Sequence, residues 1–181
     1  ADAYGRTRAE MDDYAIASLT RANAAIASGA FAAEIVPVTV TTRAGDVIVD
    51  TDEAPGKGRP EKIPALRAAF AKDGTVTAGN ASGINDGAAA IVLGGDAFAA
   101  TAKYKIVSWA SHAQNPTWFT TAPVGAIQKA LEKAKLTTEQ VDLWEINEAF
   151  AAQALGCNRE LNIDTAKLNP RGGAIALGHP I

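Results

Sequence analysis

Apolar and small side chains recur every three or four residues near the start of the chain, which is the spacing of one face of a helix. Thr7 and Glu10 have the spacing of a capping box, and Gly29 is suitably placed to end the helix. The pattern therefore predicts a packing helix between Thr7 and Gly29. Its buried stripe is predicted to contain Met11, Tyr14, Ala15, Ser18, Ala22, Ala25 and Ile26.

A second amphipathic helix is predicted after Thr121, because Pro123 suits a first helical turn and an apolar stripe follows it. The residues of the predicted buried stripe are Val124, Ile127, Ala130, Leu131 and Ala134. The residues predicted to face water are Lys129, Glu132, Lys133 and Lys135.

Alternating or β-branched residues predict strands elsewhere. Residues 34–42 and 46–50 flank the turn Arg43-Ala44-Gly45, which predicts a hairpin, and Pro37 places its strand at a sheet edge. Residues 52–64 are rich in proline, glycine and charge, so they are expected to form an exposed loop.

Strand and helix patterns alternate through the second half of the chain. Strands are predicted at residues 88–93, 106–110, 142–146 and 174–177, and helices at residues 96–102 and 148–161. Such alternation predicts an α/β fold, with a layered sheet and helices on its faces.

Composition narrows the class of protein. At 181 residues with 48% hydrophobic side chains, the chain is long enough to bury a core in one or two domains. A net charge of -3 provides no basic surface for nucleic acid or an anionic membrane, and no run of about 18 apolar residues would span a bilayer. A single cysteine excludes an internal disulfide framework and suits a reducing compartment, so a cytoplasmic location is expected. With two histidines and no cysteine pair, no metal site is expected.

Two polar side chains lie where a catalytic group would be useful. His179 follows a glycine-rich, apolar run, and Gly178-His179-Pro180 would hold its imidazole on a stiff turn at a strand end. The alternative is an ordinary turn histidine. Asn147 comes directly after the predicted strand 142–146, where open α/β sheets usually bind ligands. The alternative for Asn147 is a helix N-cap.

Five segments, in order along nearly the whole chain, resemble the thiolase family and, within it, the acetyl-CoA acetyltransferases. The segments are Asp12-Asp13-Tyr14-Ala15, Glu34-Ile35-Val36-Pro37-Val38, Asp73-Gly74-Thr75-Val76-Thr77-Ala78-Gly79-Asn80, Asn147-Glu148-Ala149-Phe150 and Gly178-His179-Pro180. The resemblance implies a thiolase-like layered αβαβα fold that is incomplete in this chain. It places the end of a coenzyme A-binding loop domain at residues 1–83, the close of the N-terminal half at 84–105 and a truncated C-terminal half at 106–181.

The resemblance implies an acyltransferase that condenses two acetyl-CoA molecules to acetoacetyl-CoA and CoA, reversibly and through a cysteine acyl-enzyme. Coenzyme A thioesters are then the substrates, and no cofactor is expected. By resemblance, His179 deprotonates the nucleophilic cysteine and donates to the thioester oxygen, while Asn147 holds a water of the oxyanion hole. A homo-oligomer, often a tetramer, is implied in the same way.

The resemblance also implies which residues bind the substrate. Ser82 and Ala78 would line the pantetheine channel within residues 75–86, whose small side chains let backbone groups approach a ligand closely. Phe70 would lie near the adenine and Phe119 beside the acyl pocket. The remaining assignments are Ala149 and Phe150 at the substrate site, and Lys57 with Arg59 near the nucleotide phosphates. The alternatives are a flexible linker for the small residues, core packing for the aromatic rings and a solvated loop for the cations.

Neither catalytic cysteine of the thiolase pattern is present in this chain. Thiolases carry the nucleophile in their first half and a second cysteine in a Cys-x-Gly motif after Gly-His-Pro. Cys157 shares a predicted helical stripe with Phe150, Ala154 and Leu161, so it is expected to be an inert core thiol. Because the loss of a nucleophile costs on the order of six decades in rate, the chain alone is predicted to be inactive. Arg171 is a further departure, since relatives commonly have a small polar residue at that place.

Three other functions are consistent with parts of this pattern. A degradative 3-ketoacyl-CoA thiolase of broader chain length is the nearest. A non-catalytic coenzyme A-binding or assembly module would end naturally at Ile181. A Cys/His hydrolase would need a nucleophile that the sequence does not supply. The chain end within a turn favours a fragment of a longer thiolase, and a targeting segment before it would imply a mitochondrial location.

Overall fold

The longest helix, α1, spans Arg8–Ala27 in the computed structural model, which describes residues 2–180. Thr7 Oγ1 accepts a hydrogen bond from Glu10 N at 3.2 Å, and Thr7 N donates to Glu10 Oε2 at 2.8 Å. The predicted capping box is therefore confirmed. Gly29, with a φ of +71°, lies just beyond the last turn, as predicted for a helix end.

A two-stranded antiparallel sheet follows, formed by β1 (Val38–Thr42) and β2 (Gly45–Val49). Val38 pairs with Val49 at the open end of the hairpin. Pro37 lies directly before β1, where its missing N–H removes no ladder hydrogen bond. The predicted hairpin is confirmed, with shorter strands than the sequence pattern indicated.

Residues 52–64 are folded more tightly than the predicted exposed loop. They contain the short helix α2 (Glu53–Lys57), in which Pro55 is buried. Ile63 is also buried and packs in a cluster with residues of α1. Arg8 Nη2 of α1 donates to Ile63 O at 3.1 Å. Most residues of this segment are exposed, as predicted, but the prediction was wrong for Pro55 and Ile63, which are buried.

Helix α3 (Ala122–Ala134) confirms the second predicted helix. Val124, Ile127 and Leu131 are half-buried and pack against a core cluster, while the lysines of the opposite face are exposed. The helix ends at Lys135, which has a left-handed backbone with a φ of +57°.

Residues 174–177, predicted as a strand, form the short helix α5 (Ala174–Leu177) between Gly173 and Gly178. The strand prediction was wrong because a run of four apolar residues has no period that separates a strand from a helical turn. The helix predicted at residues 96–102 is reduced to a single 3-10 turn, Asp96–Phe98.

The predicted strands at residues 88–93, 106–110 and 142–146 form no strand ladder within the part of the chain that the structure describes. The pairing of residues 142–146 is limited to one isolated parallel bridge, between Trp144 and Leu168. A strand forms only beside a partner that takes its backbone hydrogen bonds. The pattern of residue types therefore did not suffice to predict strands in these segments, because no partner strand lies beside them among residues 2–180.

Helix α4 (Ala151–Leu161) begins at Ala151 rather than at residue 148 as predicted. Helix α1 contacts both α4 and α5. The buried core clusters are Trp144, Ile146, Leu161, Ile163 and Leu168, and Leu19, Ala22, Ile63 and Ala176. Between residues 2 and 180, no helix combines the length and the apolar character needed to cross a membrane.

Thr7→Ala is expected to lower the free energy of unfolding by about 1 kcal/mol, because it removes the side-chain acceptor of the capping box. Chemical denaturation followed by circular dichroism measures this loss. Thr20→Ala is the matched control, since Thr20 lies on the exposed face of α1 and its hydroxyl donates to Ile16 O. The control is expected to stay within about 0.5 kcal/mol of the wild type. Equal losses in the two variants would contradict the capping role.

Candidate active site

Residues 81–85, here called the linking segment, lie between two loops and form hydrogen bonds to both. On one side, Ser82 N and Ser82 Oγ both donate to Ala149 O at 3.1 Å. On the other side, His179 N donates to Gly83 O at 2.8 Å. The linking segment therefore holds the loop that follows residue 146 beside the loop that follows α5.

Gly178 allows the histidine loop to approach the linking segment closely. Its φ is +99°, and a Cβ added there would lie 2.3 Å from Asn85 Oδ1. Asn85 N in turn donates to His179 O at 3.4 Å. A side chain at position 178 would strain the backbone and also displace Asn85, so glycine is required there.

The side chains of Asn147 and His179 meet across the two loops, with Asn147 Nδ2 at 3.1 Å from His179 Nε2. An amide N–H can only donate, so this contact requires Nε2 to be the acceptor, as it is in the tautomer with its proton on Nδ1. Asn147 is exposed and His179 is half-buried, so a ligand can reach both. His179 follows α5 rather than a strand, which corrects the predicted strand-end position. Phe150 is the N-cap of α4, so the N-cap alternative for Asn147 was wrong.

Glu148 is 1% exposed and accepts four hydrogen bonds. Its Oε1 accepts from Tyr14 OH at 3.0 Å and from Asn169 Nδ2 at 2.8 Å. Its Oε2 accepts from Ser18 Oγ at 2.7 Å and from Ile175 N at 3.2 Å. Burial raises the pKa of the Tyr14 hydroxyl, and the charge of Glu148 raises it further, so Tyr14 remains a protonated donor.

Phe70 and Phe150 contact each other edge to face, with ring centroids 6.5 Å apart and an interplanar angle of 73°. Phe70 is 79% exposed and borders an open cleft of about 570 Å³ lined by residues 70–76. Ala81 of the linking segment pairs with Phe150 through an isolated antiparallel bridge. Through Phe150, the cleft therefore adjoins both the linking segment and the loop that contains Asn147.

The other predicted binding residues lie apart from these contacts. Ala78 is exposed in the turn before the linking segment. Phe119 is 64% exposed on the 3-10 helix Pro116–Thr121. Lys57 forms an ion pair with Glu53 within α2. Among the hydrogen bonds and ring contacts of residues 2–180, none brings these three side chains to the histidine–asparagine pair.

Cys157 is buried on α4, on the same stripe as the buried residues Ala154 and Leu161. Gln153 Nε2 donates to Cys157 Sγ at 3.5 Å. Burial raises the pKa of the Cys157 thiol, so little thiolate forms at neutral pH. The predicted burial of this thiol is confirmed.

Arg171 and His112 also lie outside the site contacts. The Arg171 guanidinium lies 5.8 Å from the centroid of the Phe31 ring, and its Nη1 donates to Ala30 O at 3.3 Å. This arginine packs on the surface beyond α1. His112 is half-buried beside Gly125, and its Nδ1 has no hydrogen-bond partner within the described residues.

The sequence interpretation missed the buried network around Glu148. Tyr14 and Ser18 carried a signal, since both are polar residues on the predicted buried stripe of α1. A hydroxyl buried on such a stripe needs a partner, and Glu148 is that partner. Asn169 lies in a loop and gave no comparable signal.

Two family models match the chain. One, described as "Thiolase, N-terminal domain", matches residues 1–96, and the other, "Thiolase, C-terminal domain", matches residues 100–181. The chain belongs to the thiolase family. An "Acetyl-CoA acetyltransferase" of Yarrowia lipolytica is 51% identical over 181 residues, which cover 98% of this chain and 46% of the relative. The chain thus spans about half the length of the curated thiolases it matches.

Solved thiolases share the fold of this chain. The acetyl-CoA acetyltransferase of Bacillus anthracis superposes with a TM-score of 0.93 and 43% identity, covering 99% of this chain and 47% of that structure. The Acat5 thiolase of Ascaris suum, solved in complex with coenzyme A, gives a TM-score of 0.88 and 43% identity over the same shares. The predicted thiolase-like α/β fold class is therefore confirmed, although among residues 2–180 the strands predicted at 88–93, 106–110, 142–146 and 174–177 form no ladder.

Cys157 is expected to be unreactive toward a thiol reagent in the folded thiolase chain and to react fully after denaturation. The reason is that burial shields the sulfur and raises the pKa of the thiol. Thiol titration in native buffer and in denaturant measures both states. Ser111→Cys, at an exposed position, provides a reactive control on the same chain. Labelling of Cys157 at the rate of that control in native buffer would rule out the inert role.

Gly173→Ala is expected to lower the free energy of unfolding by about 1–3 kcal/mol through overpacking. The added Cβ would lie 2.4 Å from Glu148 Cδ, in a buried carboxylate that four hydrogen bonds hold in place. Gly95→Ala is the matched control, because a Cβ at Gly95 meets no atom within 4 Å. Thermal or chemical denaturation compares the two variants. A loss in Gly95→Ala as large as that in Gly173→Ala would show that the cost comes from elsewhere.

Proposed function

We propose that this chain carries the histidine–asparagine pair and part of the coenzyme A-binding surface of an acetyl-CoA acetyltransferase. Such an enzyme condenses two acetyl-CoA molecules to acetoacetyl-CoA and CoA. The observation that carries the proposal is the 3.1 Å contact between Asn147 Nδ2 and His179 Nε2. Membership of the thiolase family and the name of the Yarrowia lipolytica relative support it.

In the proposed mechanism, His179 moves the proton of the nucleophilic thiol. Because the ring carries its proton on Nδ1, the lone pair of Nε2 can take the proton of a cysteine S–H as the sulfur becomes a thiolate, and the Asn147 amide then releases its hydrogen bond to Nε2. The thiolate adds to the thioester carbonyl, and loss of the coenzyme A thiolate leaves the acetyl group on the cysteine. The proton held on His179 Nε2 then neutralises the departing thiolate.

Asn147 stabilises the negative charge that develops on the thioester oxygen. Its amide carries two N–H groups, of which one is directed at His179. The second N–H can hold a water at the place where the oxyanion forms. The exposure of the Asn147 side chain allows a substrate to reach it.

The open cleft beside Phe70 receives the nucleotide end of coenzyme A in this proposal. The exposed Phe70 ring offers an apolar face for the adenine, and the small residues around Ser82 leave room for the pantetheine arm. Lys57 is the proposed cationic contact of the phosphates. Its ion pair with Glu53 partly offsets the charge that it offers to them. The coenzyme A complex of the Ascaris suum thiolase supports the substrate class.

The proposed reaction needs a nucleophile that buried Cys157 cannot supply. We therefore propose that the chain alone does not turn over. In the enzyme, the thiol belongs to the portion of the relatives' length that this chain does not span. A homo-oligomer is proposed on the family resemblance alone, and a cytoplasmic location on the single cysteine, which suits a reducing compartment.

A chimera tests this proposal. If this chain replaces the matching segment of the Yarrowia lipolytica acetyl-CoA acetyltransferase, the product is expected to cleave acetoacetyl-CoA with CoA, whereas the 181-residue chain alone is not. In the chimera, His179→Ala is expected to lower kcat by on the order of 10²–10⁴ because it removes the general base. Asn147→Ala is expected to lower kcat by about 10²–10³ because it removes an oxyanion donor. Steady-state kinetics with acetoacetyl-CoA measures both effects.

His112→Ala and Asn115→Ala are the controls for this experiment, since they delete the same residue types outside the site. Both are expected to keep the kcat of the unmodified chimera. If His179→Ala and Asn147→Ala also keep it, the proposed roles are wrong. Higher kcat/KM on long 3-ketoacyl-CoA than on acetoacetyl-CoA would instead indicate a degradative thiolase.

A further inference from the structure

The Glu148 carboxylate gathers hydrogen bonds from three separate parts of the chain. Tyr14 and Ser18 donate from α1, Asn169 donates from the loop after α4, and Ile175 donates from α5. Each carboxylate oxygen accepts two of these bonds. An ionised carboxylate has about four acceptor positions, so the donors match its full capacity.

These bonds connect both members of the histidine–asparagine pair to one buried group. Glu148 follows Asn147 directly in the chain, and Ile175 N bonds to the carboxylate in the helix that leads to His179. Ser18 Oγ, which donates to Glu148, also accepts from Gly173 N at 3.0 Å, just before that helix. The carboxylate therefore lies in a chain of contacts that runs from one loop to the other.

Asn169 strengthens the same link from the other side. Its Oδ1 accepts from Ile146 N and its Nδ2 donates to Ile146 O, both at 2.8 Å. The same Nδ2 donates to Glu148 Oε1. Asn169 thus holds the backbone of Ile146 on one side of Asn147 and the side chain of Glu148 on the other, while the Asn147 side chain itself is exposed.

We propose that Glu148 is a positioning residue that sets the contact between Asn147 and His179 and thereby selects the Nδ1–H tautomer of His179. The use of that tautomer in catalysis rests on the proposed function, but the contact itself needs no substrate. Burying a carboxylate is costly, and the described residues include no ion-pair partner for Glu148. Its four donors offset that cost only in this arrangement of α1, α5 and the two loops, which is why the carboxylate can define their separation.

Histidine ring NMR on the full 181-residue chain tests this proposal. The chain has two histidines, so His112→Gln assigns the signals of a sample with ¹⁵N- and ¹³C-labelled histidine. At a pH where His179 is neutral, the Nδ1–H tautomer is expected to dominate in the parent chain. In Glu148→Gln, the population ratio of the Nδ1–H to the Nε2–H tautomer is expected to fall at least about fivefold. This factor corresponds to the net free energy of one ordinary hydrogen bond. The physical reason is that the amide introduced at position 148 would place an N–H group where one carboxylate oxygen now accepts two hydrogen bonds.

Ser18→Ala is a milder second variant that keeps Glu148 itself. It removes one donor to the carboxylate and the acceptor for Gly173 N. The tautomer ratio is expected to fall in the same direction by a smaller factor. This variant decides the matter if Glu148→Gln does not fold, because an unchanged ratio in folded Ser18→Ala overturns the proposal.

Asp12→Asn is the matched control. It also changes a buried carboxylate to an amide, but at a residue of α1 rather than at Glu148. Asp12 is 3% exposed and accepts from Arg8 Nε at 2.6 Å and Asn80 Nδ2 at 2.9 Å. The control is expected to lower stability without changing the His179 tautomer. An equal change of tautomer in Asp12→Asn would mean that general loosening, not Glu148, controls the ring.

Two further results would overturn the proposal: an Nε2–H tautomer at His179 in the parent chain, or a folded Glu148→Gln variant with an unchanged ratio. Failure of the proposed function is recognised separately, because it appears as an inactive chimera while the NMR results on this chain stand. A changed tautomer with an inactive chimera would therefore support the positioning role and reject the thiolase reaction.

Discussion

Backbone hydrogen bonding between irregular segments is the constraint on which the candidate site depends. A loop cannot satisfy all of its own donors and acceptors, so two loops that approach each other need a third stretch of chain to complete their bonds. The linking segment does this, because Gly83 O accepts from His179 N and Ser82 donates to Ala149 O. Its small side chains make the close approach possible, and the same property gives a ligand access to its backbone.

The parts of the fold that could be predicted from sequence are those that local chemistry decides. The cap at Thr7, the helix end near Gly29 and the stripe of α1 depend on residues within a few positions of one another. Strands depend on a neighbour that the sequence does not name. Residues 174–177 show the difference, because their apolar composition suits a strand but flanking glycines and contacts with α1 leave them as a helical turn.

The candidate site likewise has a part that local sequence predicts and a part that depends on distant residues. Asn147 and His179 were recognisable because each belongs to a short motif, and the family resemblance assigned both to the same thioester carbonyl. Their direct contact at 3.1 Å is what the motifs alone do not give. The Glu148 network was not recognisable, because Ser18 Oγ bonds to it from 130 positions earlier in the chain. A buried carboxylate acquires its role from distant donors, and no local pattern records which donors they are.

The different environments of Asn147 and Glu148 follow from the alternation of an extended chain. Trp144, Ile146 and Glu148 are buried, whereas the residues between them are exposed. Successive side chains of an extended segment point to opposite sides, so an exposed reactive group has buried neighbours on either side. The apolar neighbour at position 146 packs in the core, and the polar neighbour at position 148 collects the hydrogen bonds that orient the backbone. A shift of one residue would bury the carboxamide and expose the carboxylate, so the buried network and the exposed pair depend on the same register.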